Sequence, residues 1–125
     1  MGGNEIKFTR AWPKPHLLLG GLSYQSQSED ITDYSSINVN LIVTGSSNTE
    51  TLTVEVEQTY DPGVPGSWTT ITQLQLLYTT GTAVIHKVHD CSAIPGLGPY
   101  IRINASLSGG SDTWKAFLVK AVVRE

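Results

Sequence analysis

The amino-acid sequence predicts an all-β protein: a single antiparallel β-sandwich, of jelly-roll or immunoglobulin-like topology, with an extended N-terminal arm. Three observations lead to this fold class. Several short segments alternate apolar and polar residues with a period of two, and clusters of glycine and proline separate them at intervals of about ten residues. No segment of about twelve or more residues has a helical period with caps. The length of 125 residues fits one domain.

The first clear strands of this pattern lie in the middle of the chain. From Ile37 to Thr44, isoleucine, valine and leucine occupy alternate positions, and from Leu52 to Glu57 apolar residues alternate with threonine and glutamate. The second segment is typical of a strand with one face in the core and one face in water. Since Gly45 to Thr49 is rich in turn formers, we expect these two strands to pair as a hairpin.

A turn and two further strands follow. Asp61 to Ser67 contains two prolines and two glycines, which exclude a regular strand. Trp68 to Leu77 then predicts a strand with a bulge or a strand end near Gln73, where the parity of its apolar residues changes. Ala83 to Val88 predicts another short strand, and Pro95 to Pro99 a second rigid turn.

The last two predicted strands differ in their apolar pattern. Tyr100 to Leu107 alternates regularly, and Gly109 to Asp112 predicts the turn after it. Trp114 to Val123 is apolar on both parities. Such a strand lies at the centre of a sheet, or has one face against another chain. We therefore take Phe117 and Val119 as candidate partner-binding residues.

The N-terminal part has no sustained alternation. We assign residues 1–33 to an extended arm and linker, and residues 34–125 to the sandwich. Apolar side chains on an arm need a surface to pack on. They either add an edge strand to their own sandwich or pack on a neighbouring chain. On the second alternative, the arm contributes four candidate partner-binding residues, Trp12, Leu17, Leu18 and Leu19.

Composition and charge exclude several classes of partner. Charged residues make up 15% of the chain, against about 25% in an ordinary soluble domain. The net charge of −3 argues against nucleic acid, because binding phosphates needs clustered lysine and arginine. The apolar stretch Leu17 to Leu22 is too short to span a bilayer and has no signal-peptide flanks. We therefore expect no nucleic-acid and no membrane partner. Cys91 is the single cysteine, so no intrachain disulfide forms.

Residues 86–91, His-Lys-Val-His-Asp-Cys, form the one cluster of reactive side-chain types. Such residues can bind zinc or supply a cysteine nucleophile with a histidine base. In a strand, however, His86 and His89 have opposite parity and point to opposite faces. We expect exposed histidines and a buried, unreactive Cys91. The sequence thus predicts no enzyme, no catalytic residue, no metal and no cofactor.

Aromatic residues beside the proline and glycine turn suggest an alternative function. Tyr60 precedes this turn and is placed to stack on a sugar, and Arg102 on an outward parity is placed to hydrogen-bond a ligand. These two are the candidate ligand-binding residues of a carbohydrate-binding module. We expect Trp68 and Trp114 to pack in the core, because a sandwich needs large side chains between its sheets.

Two known groups of proteins have similar patterns. Val54 to Asp61, Trp68 to Ile71, Pro99 to Ile103 and Trp114 to Glu125 resemble small phage virion β-sandwich proteins, which include capsid decoration (cement) proteins and head or tail adaptors. The order of an aspartate turn, Trp-Thr and Tyr-Ile-Arg-Ile is also similar to discoidin-like carbohydrate-binding jelly rolls. The resemblance covers residues 52–125 and assigns no individual binding residue.

The hypothesis from these observations is a non-enzymatic structural virion protein. It would decorate or stabilise a phage capsid or tail through contacts with capsid or tail protein subunits. It would be a homo-oligomer, for which a trimer is one option, and it would reside in the virion after assembly in the host cytoplasm. The alternative is a carbohydrate-binding or adhesin-like β-sandwich module.

Overall fold

The computed structural model describes residues 3–9, 11–34, 36–47, 50–71, 74–79, 85–91 and 99–124. Within these ranges the chain forms β-strands and no α-helix, and so has no helix that could cross a membrane. The strands are β1 (Gly3–Lys7), β2 (His16–Leu19), β3 (Ser23–Gln25), β4 (Glu29–Asp30), β5 (Ser36–Ser46), β6 (Thr51–Thr59), β7 (Thr69–Thr70), β8 (Leu76–Thr79), β9 (Ile85–Cys91), β10 (Tyr100–Leu107) and β11 (Trp114–Arg124).

The strands form two antiparallel sheets, and short strands share positions at their edges. In sheet A, β1 and β2 both pair with β11, which is followed by β5 and β9. In sheet B, β3 and β4 both pair with β10, which is followed by β6, and β7 and β8 both pair with β6. Each sheet therefore has four strand positions. Successive long strands alternate between the sheets: β5 and β9 lie in sheet A, and β6 and β10 lie in sheet B. Eight strand positions connected in this way form a jelly roll, and the predicted β-sandwich is confirmed.

The predicted hairpin of β5 and β6 is wrong. β5 lies in sheet A between β11 and β9, whereas β6 lies in sheet B beside β10. The reason is that both strands are long and have one fully apolar face, and facing each other across the sandwich buries both faces. Short spacing along the chain does not distinguish a turn within one sheet from a turn between two sheets.

The core lies between the two sheets and follows the period-two pattern. Buried side chains recur at every second position along β10 and over most of β5, β6 and β11, as expected for strands with one inner face. In β11 the outward Leu118 is buried as well. The buried inner residues of these four strands are Ile37, Val39, Leu41, Val43, Leu52, Val54, Val56, Ile101, Ile103, Ala105, Leu107, Phe117, Val119, Ala121 and Val123. The inner faces of two sheets thus form one continuous core.

The segment predicted to be an arm supplies edges of both sheets. β1 and β2 complete the edge of sheet A beside β11, and β3 and β4 complete the edge of sheet B beside β10. Of the two alternatives for the apolar residues of this segment, β1 and β2 follow the first: they add edge strands to their own sandwich. The sequence does not show this pattern, because these strands are short and only every second residue of each is available to the core.

Other predicted elements are shorter than expected or lie outside the described residues. β7 and β8 cover parts of the predicted strand from Trp68 to Leu77, and Gln73, where a bulge or strand end was expected, is outside the described residues. β9 covers the described part of the strand predicted from Ala83 to Val88, since Ala83 and Val84 are outside the described residues. The turn predicted at 95–99 falls mostly in residues 92–98, which are also outside the description.

The turn between β2 and β3 packs tightly against the turn between β10 and β11. A side chain at Gly20 would collide with Oγ1 of Thr113 and with the carbonyl group of Gly110. The backbone N–H of Gly20 donates to the carbonyl of Thr113 at 2.9 Å. Glycine at this position therefore allows the two turns to close this end of the sandwich.

A charged side chain lies in the interior near this end. Lys115 is fully buried on the inner parity of β11, directly opposite Ser46 of β5, and its Nζ donates a hydrogen bond to Ser46 Oγ. Burial lowers the pKa of the Lys115 ammonium group, while the negative charge of Glu50 acts in the opposite direction. The ammonium group is thus buried at an energetic cost that its polar neighbours offset only in part.

Candidate functional site

The outer face of sheet A carries exposed apolar side chains at the end formed by β2. Leu17 and Leu19 of β2 are 57% and 41% exposed, and Trp114 of β11 is 37% exposed. The register places Leu19 opposite Trp114 and Leu17 opposite Ala116, so these side chains share one face. Leu118 and its register partner Ile42 continue the same face, although Leu118 is only 8% exposed. We call this set the apolar outer patch: Leu17, Leu19, Ile42, Trp114, Ala116 and Leu118.

A glycine in β5 allows the tryptophan of the apolar outer patch to lie close to the sheet. A Cβ atom at Gly45 would lie 3.1 Å from Cζ3 and 3.3 Å from Cη2 of Trp114. The start of β11 is also hydrogen-bonded to the residue that follows β5. Trp114 N–H donates to Ser47 Oγ at 2.8 Å, and Ser47 N–H donates to the Trp114 carbonyl at 2.9 Å. The indole ring therefore presents a broad apolar surface held against the sheet.

Trp12 borders the apolar outer patch on the side of β1. Lys7 and Lys120 are register partners on the outer face, and their Nζ atoms lie 5.7 and 6.0 Å from the centre of the Trp12 ring. Lys120 also pairs with Glu5, with Nζ and Oε2 3.4 Å apart. The apolar outer patch thus has an aromatic and charged border, which is the usual composition of a protein-contact surface and its rim.

Three of the six predicted partner-binding residues lie on this outer face, namely Trp12, Leu17 and Leu19. The other three require a correction, because Leu18, Phe117 and Val119 point inwards and are at most 3% exposed in the core. Phe117 also contacts the His16 ring edge-to-face, with centroids 5.7 Å apart. Both parities of β11 are apolar, and only the pairing of β11 within the sandwich decides which parity faces inwards.

The prediction that Trp68 and Trp114 are core residues is also wrong. Trp114 is on the outer face, and it is the largest residue of the apolar outer patch that sequence reasoning did not assign to a contact surface. Its shared parity with Ala116 and Leu118 was the available signal. Trp68 is half-buried outside the core, where its ring lies under the guanidinium group of Arg102, 4.2 Å from Cζ to the ring centre.

The outer face of sheet B is polar, and its candidate ligand residue Arg102 is engaged within the chain. Arg102 Nε donates to Glu57 Oε1 at 2.7 Å, in addition to its contact with Trp68. The surrounding outward side chains include Thr53, Glu55, Asn104 and Ser106. This face has the composition of a solvated sheet surface.

Tyr60, the other candidate ligand residue, is 76% exposed at the start of the turn between β6 and β7. Hydroxyl groups at the base hold this turn: Thr59 Oγ1 and Ser67 Oγ are 2.7 Å apart, and Ser67 Oγ lies 2.7 Å from the Val64 carbonyl oxygen. Among the described residues, no hydrogen bond, ion pair or ring contact joins Tyr60 to Arg102. The structure therefore does not combine the two candidates into one site.

A small cleft of about 220 Å³ lies beside β1 at the open side of the sandwich. It is lined by Lys7, Phe8, Tyr24, Ser26, Gln27 and Glu29. Within this lining, the Tyr24 hydroxyl donates to the Phe8 carbonyl at 2.8 Å, and burial raises the pKa of the Glu29 carboxyl group.

The structure describes the backbone of β9, whereas the side chains of His86, His89 and Cys91, for which the sequence predicts exposed histidines and a buried cysteine, lie outside the description. In β9, His86 is the register partner of Ile42 and His89 is the register partner of Val39, and these partners lie on opposite faces of β5. In the part of the chain that the structure describes, no group of three or more histidine, cysteine, aspartate or glutamate residues could hold a metal ion. Glu55 and Glu57, which share a strand face, are bonded to Gln75 and Arg102.

Comparison with known proteins reveals similar structures but no similar sequences. No family model and no curated protein matches this chain. Chains in the structures of infectious bursal disease virus strains Gt and Gx each match with a TM-score of 0.58 and 14% identity, over 98% of this chain and 32% of the viral chain. A crystal structure of dimeric latent PorU from Porphyromonas gingivalis matches with a TM-score of 0.52 and 7% identity, over 98% of this chain and 12% of PorU.

This chain therefore spans less than a third of the length of each of these proteins. At such low identities the similarity shows the fold alone. We conclude that the chain is a β-sandwich whose two-sheet architecture is shared with parts of chains from infectious bursal disease virus and from PorU, and that its distinguishing surface is the apolar outer patch.

Proposed function

We propose that this chain is a non-enzymatic structural protein of a virus particle, which attaches to neighbouring protein subunits through the apolar outer patch. The observation that carries the proposal is the contrast between the two outer faces. Sheet B presents threonine, asparagine and ion-paired side chains, whereas sheet A presents exposed leucine and tryptophan. A contiguous exposed apolar area on an otherwise polar protein marks a surface that another molecule covers.

The fold likeness supports the viral part of the proposal. Jelly rolls occur among viral capsid and lectin domains, and similar structures include those of infectious bursal disease virus. The finer proposal, that the chain decorates or stabilises a phage capsid or tail, rests on the resemblance of residues 52–125 to small phage virion proteins. Its partners would be capsid or tail subunits, and its location the virion.

The size of the patch sets the expected strength of attachment. Fully burying a leucine side chain contributes about 1.5–3 kcal/mol, and Leu17 and Leu19 have about half of that still to gain. Together with Trp114, the patch offers a few kcal/mol of apolar contact. This is enough for the centre of an interface of standard size, roughly 800 Å² on each partner, in which a few central residues supply most of the affinity.

The test is to locate the chain and then remove the patch. Antibodies against the chain are used for immunogold electron microscopy of particles purified from its source, and tagged variants are compared for co-sedimentation with those particles. We expect wild type and Leu22→Asp to sediment with the particles, and Leu17→Asp and Leu19→Asp to remain in the supernatant. Leu22 is a matched control because it is 56% exposed, as Leu17 is, but lies in the turn after β2.

Two outcomes would overturn the proposal. One is the absence of gold label from all particles, together with no co-sedimentation of the wild-type chain. The other is retention of Leu17→Asp and Leu19→Asp on particles at the level of wild type, which would show that attachment uses another surface.

A carbohydrate-binding module is the second candidate, favoured by the exposure of Tyr60 on a turn held by hydrogen bonds. An exposed aromatic ring on such a turn is suited to stacking on a sugar. A glycan array separates the candidates, since binding that is lost in Tyr60→Ala supports the module. A blank array with wild-type protein contradicts it.

A further inference from the structure

The strand β1 forms part of an edge of sheet A, and its outward backbone groups have no partner among the described residues. Hydrogen bonds alternate along an antiparallel pair. Phe8 N–H donates to the Val119 carbonyl at 2.9 Å, and Phe8 continues the β1–β11 register. Asn4 and Ile6 therefore bond with β11, while the N–H and C=O groups of Gly3, Glu5 and Lys7 face away from it. Such an edge is a template for another strand.

The side chains of β1 are complementary to a second copy of the same strand. Glu5 and Lys7 have the same parity and lie on the outer face, opposite Val122 and Lys120 of β11. In an antiparallel pair centred on Ile6, Glu5 of one copy lies directly opposite Lys7 of the other, and the reverse pair forms by symmetry. Both residues also have outward-facing backbone groups, so each Glu5–Lys7 pair can exchange two backbone hydrogen bonds.

Charge also selects this register over its neighbours. Moving the pairing by one step in either direction, while keeping outward backbone groups opposite each other, places Glu5 against Glu5 or Lys7 against Lys7. Like charges directly opposite each other are destabilising. Only the register centred on Ile6 satisfies the backbone groups and pairs opposite charges at both positions.

We propose that β1 is the contact strand of a two-fold symmetric homodimer, in which two copies of sheet A join edge to edge through antiparallel β1 strands. The partner is a second copy of this chain. The two-fold axis passes beside Ile6, and four backbone hydrogen bonds and two Glu5–Lys7 ion pairs cross it. The outer faces of the two sheets then form one continuous surface, with an apolar outer patch on each side of the axis. The dimer does not depend on the proposed function, because it uses the edge of the sheet and not its outer face.

The test uses charge reversal of the full chain and analytical ultracentrifugation over a range of protein concentrations. We expect wild type to dimerise, and Glu5→Lys and Lys7→Glu each to raise the dimer Kd about tenfold or more, since each reversal replaces two favourable pairs with two like-charge pairs. An equimolar mixture of the two variants should restore dimers, because the two lysines on β1 of the Glu5→Lys chain then lie opposite the two glutamates on β1 of the Lys7→Glu chain.

The matched control is Asp112→Lys, which makes the same charge change as Glu5→Lys in the exposed turn before β11, at the end remote from β1. Its dimer Kd should stay within about twofold of wild type. Circular dichroism of each variant checks that the chain is folded.

Three results would overturn the proposal: a wild-type chain that stays monomeric, single reversals that leave the Kd unchanged, or single reversals that dissociate the dimer while their mixture stays monomeric. The result is independent of particle attachment. Leu17→Asp should leave the dimer intact even where it abolishes co-sedimentation, and Lys7→Glu tests the dimer even if no particle is found.

Discussion

Replacing Phe117 by alanine tests which side of β11 faces the core. The structure places the Phe117 ring fully inside the sandwich, against the opposite sheet. Truncating a buried phenylalanine removes its transfer free energy and leaves a cavity, which together cost about 3–5 kcal/mol. A domain of this length has a stability of roughly 6–19 kcal/mol, at about 0.05–0.15 kcal/mol per residue. The variant should therefore still fold, with a large part of its stability lost.

The matched variant is Leu17→Ala on the outer face. Leu17 is 57% exposed, so less than half of its surface is buried in the folded chain. With about 1.5–3 kcal/mol for a fully buried leucine, its truncation should cost about 1 kcal/mol or less. The difference between the two variants, about 2 kcal/mol or more, corresponds to about a thirtyfold change in the folding equilibrium.

Urea denaturation followed by tryptophan fluorescence measures both variants. With a slope of about 1–3 kcal/mol per molar urea, the midpoint of Phe117→Ala should fall by at least about 1 M relative to wild type, and that of Leu17→Ala by much less. Equal losses of stability in the two variants would count against the placement of Phe117 in the core and Leu17 on the outer face, as would a Phe117→Ala variant that stays within about 1 kcal/mol of wild type.

Two further predictions concern charged groups. Because burial lowers the pKa of Lys115 while Glu50 acts in the opposite direction, the unfolded chain holds this proton more tightly, and stability should rise as the pH increases through the folded-state pKa towards 10.5. Lys115→Met should abolish that rise, measured as urea midpoints between pH 7 and 10, and an unchanged rise would contradict the assignment. Arg102→Lys keeps the charge but loses the planar contact with Trp68 and the Nε–H donor to Glu57. We expect it to cost about 0.5–2 kcal/mol in thermal denaturation, whereas a variant as stable as wild type would show that the cluster is not stabilising.

The period-two pattern was sufficient to predict the strands that build the core. Polar and apolar residues alternate from Thr51 to Glu57 in β6 and from Ile101 to Leu107 in β10, so the buried face can be read directly from residues such as Val54 and Ile103. The pattern was not sufficient where both parities are apolar. In β11, deciding whether Phe117 or Trp114 faces outwards required knowledge of the strands on both sides.

The sequence predicts only part of the apolar outer patch. Leu17 and Leu19 are apolar residues in a segment without a core pattern, which marks them as candidates for a contact surface, and they are exposed. Their neighbours Trp114 and Leu118 are almost a hundred positions away in the chain. Only the pairing of β2 with β11 brings the two segments together, and pairing between distant strands leaves no signal in either segment alone.

Strand periodicity and turn chemistry are local properties, so the amino-acid sequence is enough to establish a small all-β protein of low charge, built from strands with one apolar face. Three features depend instead on how the strands assemble. β5 and β6 lie in opposite sheets instead of pairing, the N-terminal strands complete the sheet edges, and one face of β11 is left outside. These outcomes depend on which apolar faces cover one another. The stable arrangement is the one that minimises the free energy of the whole core, and this free energy cannot be calculated from any single segment.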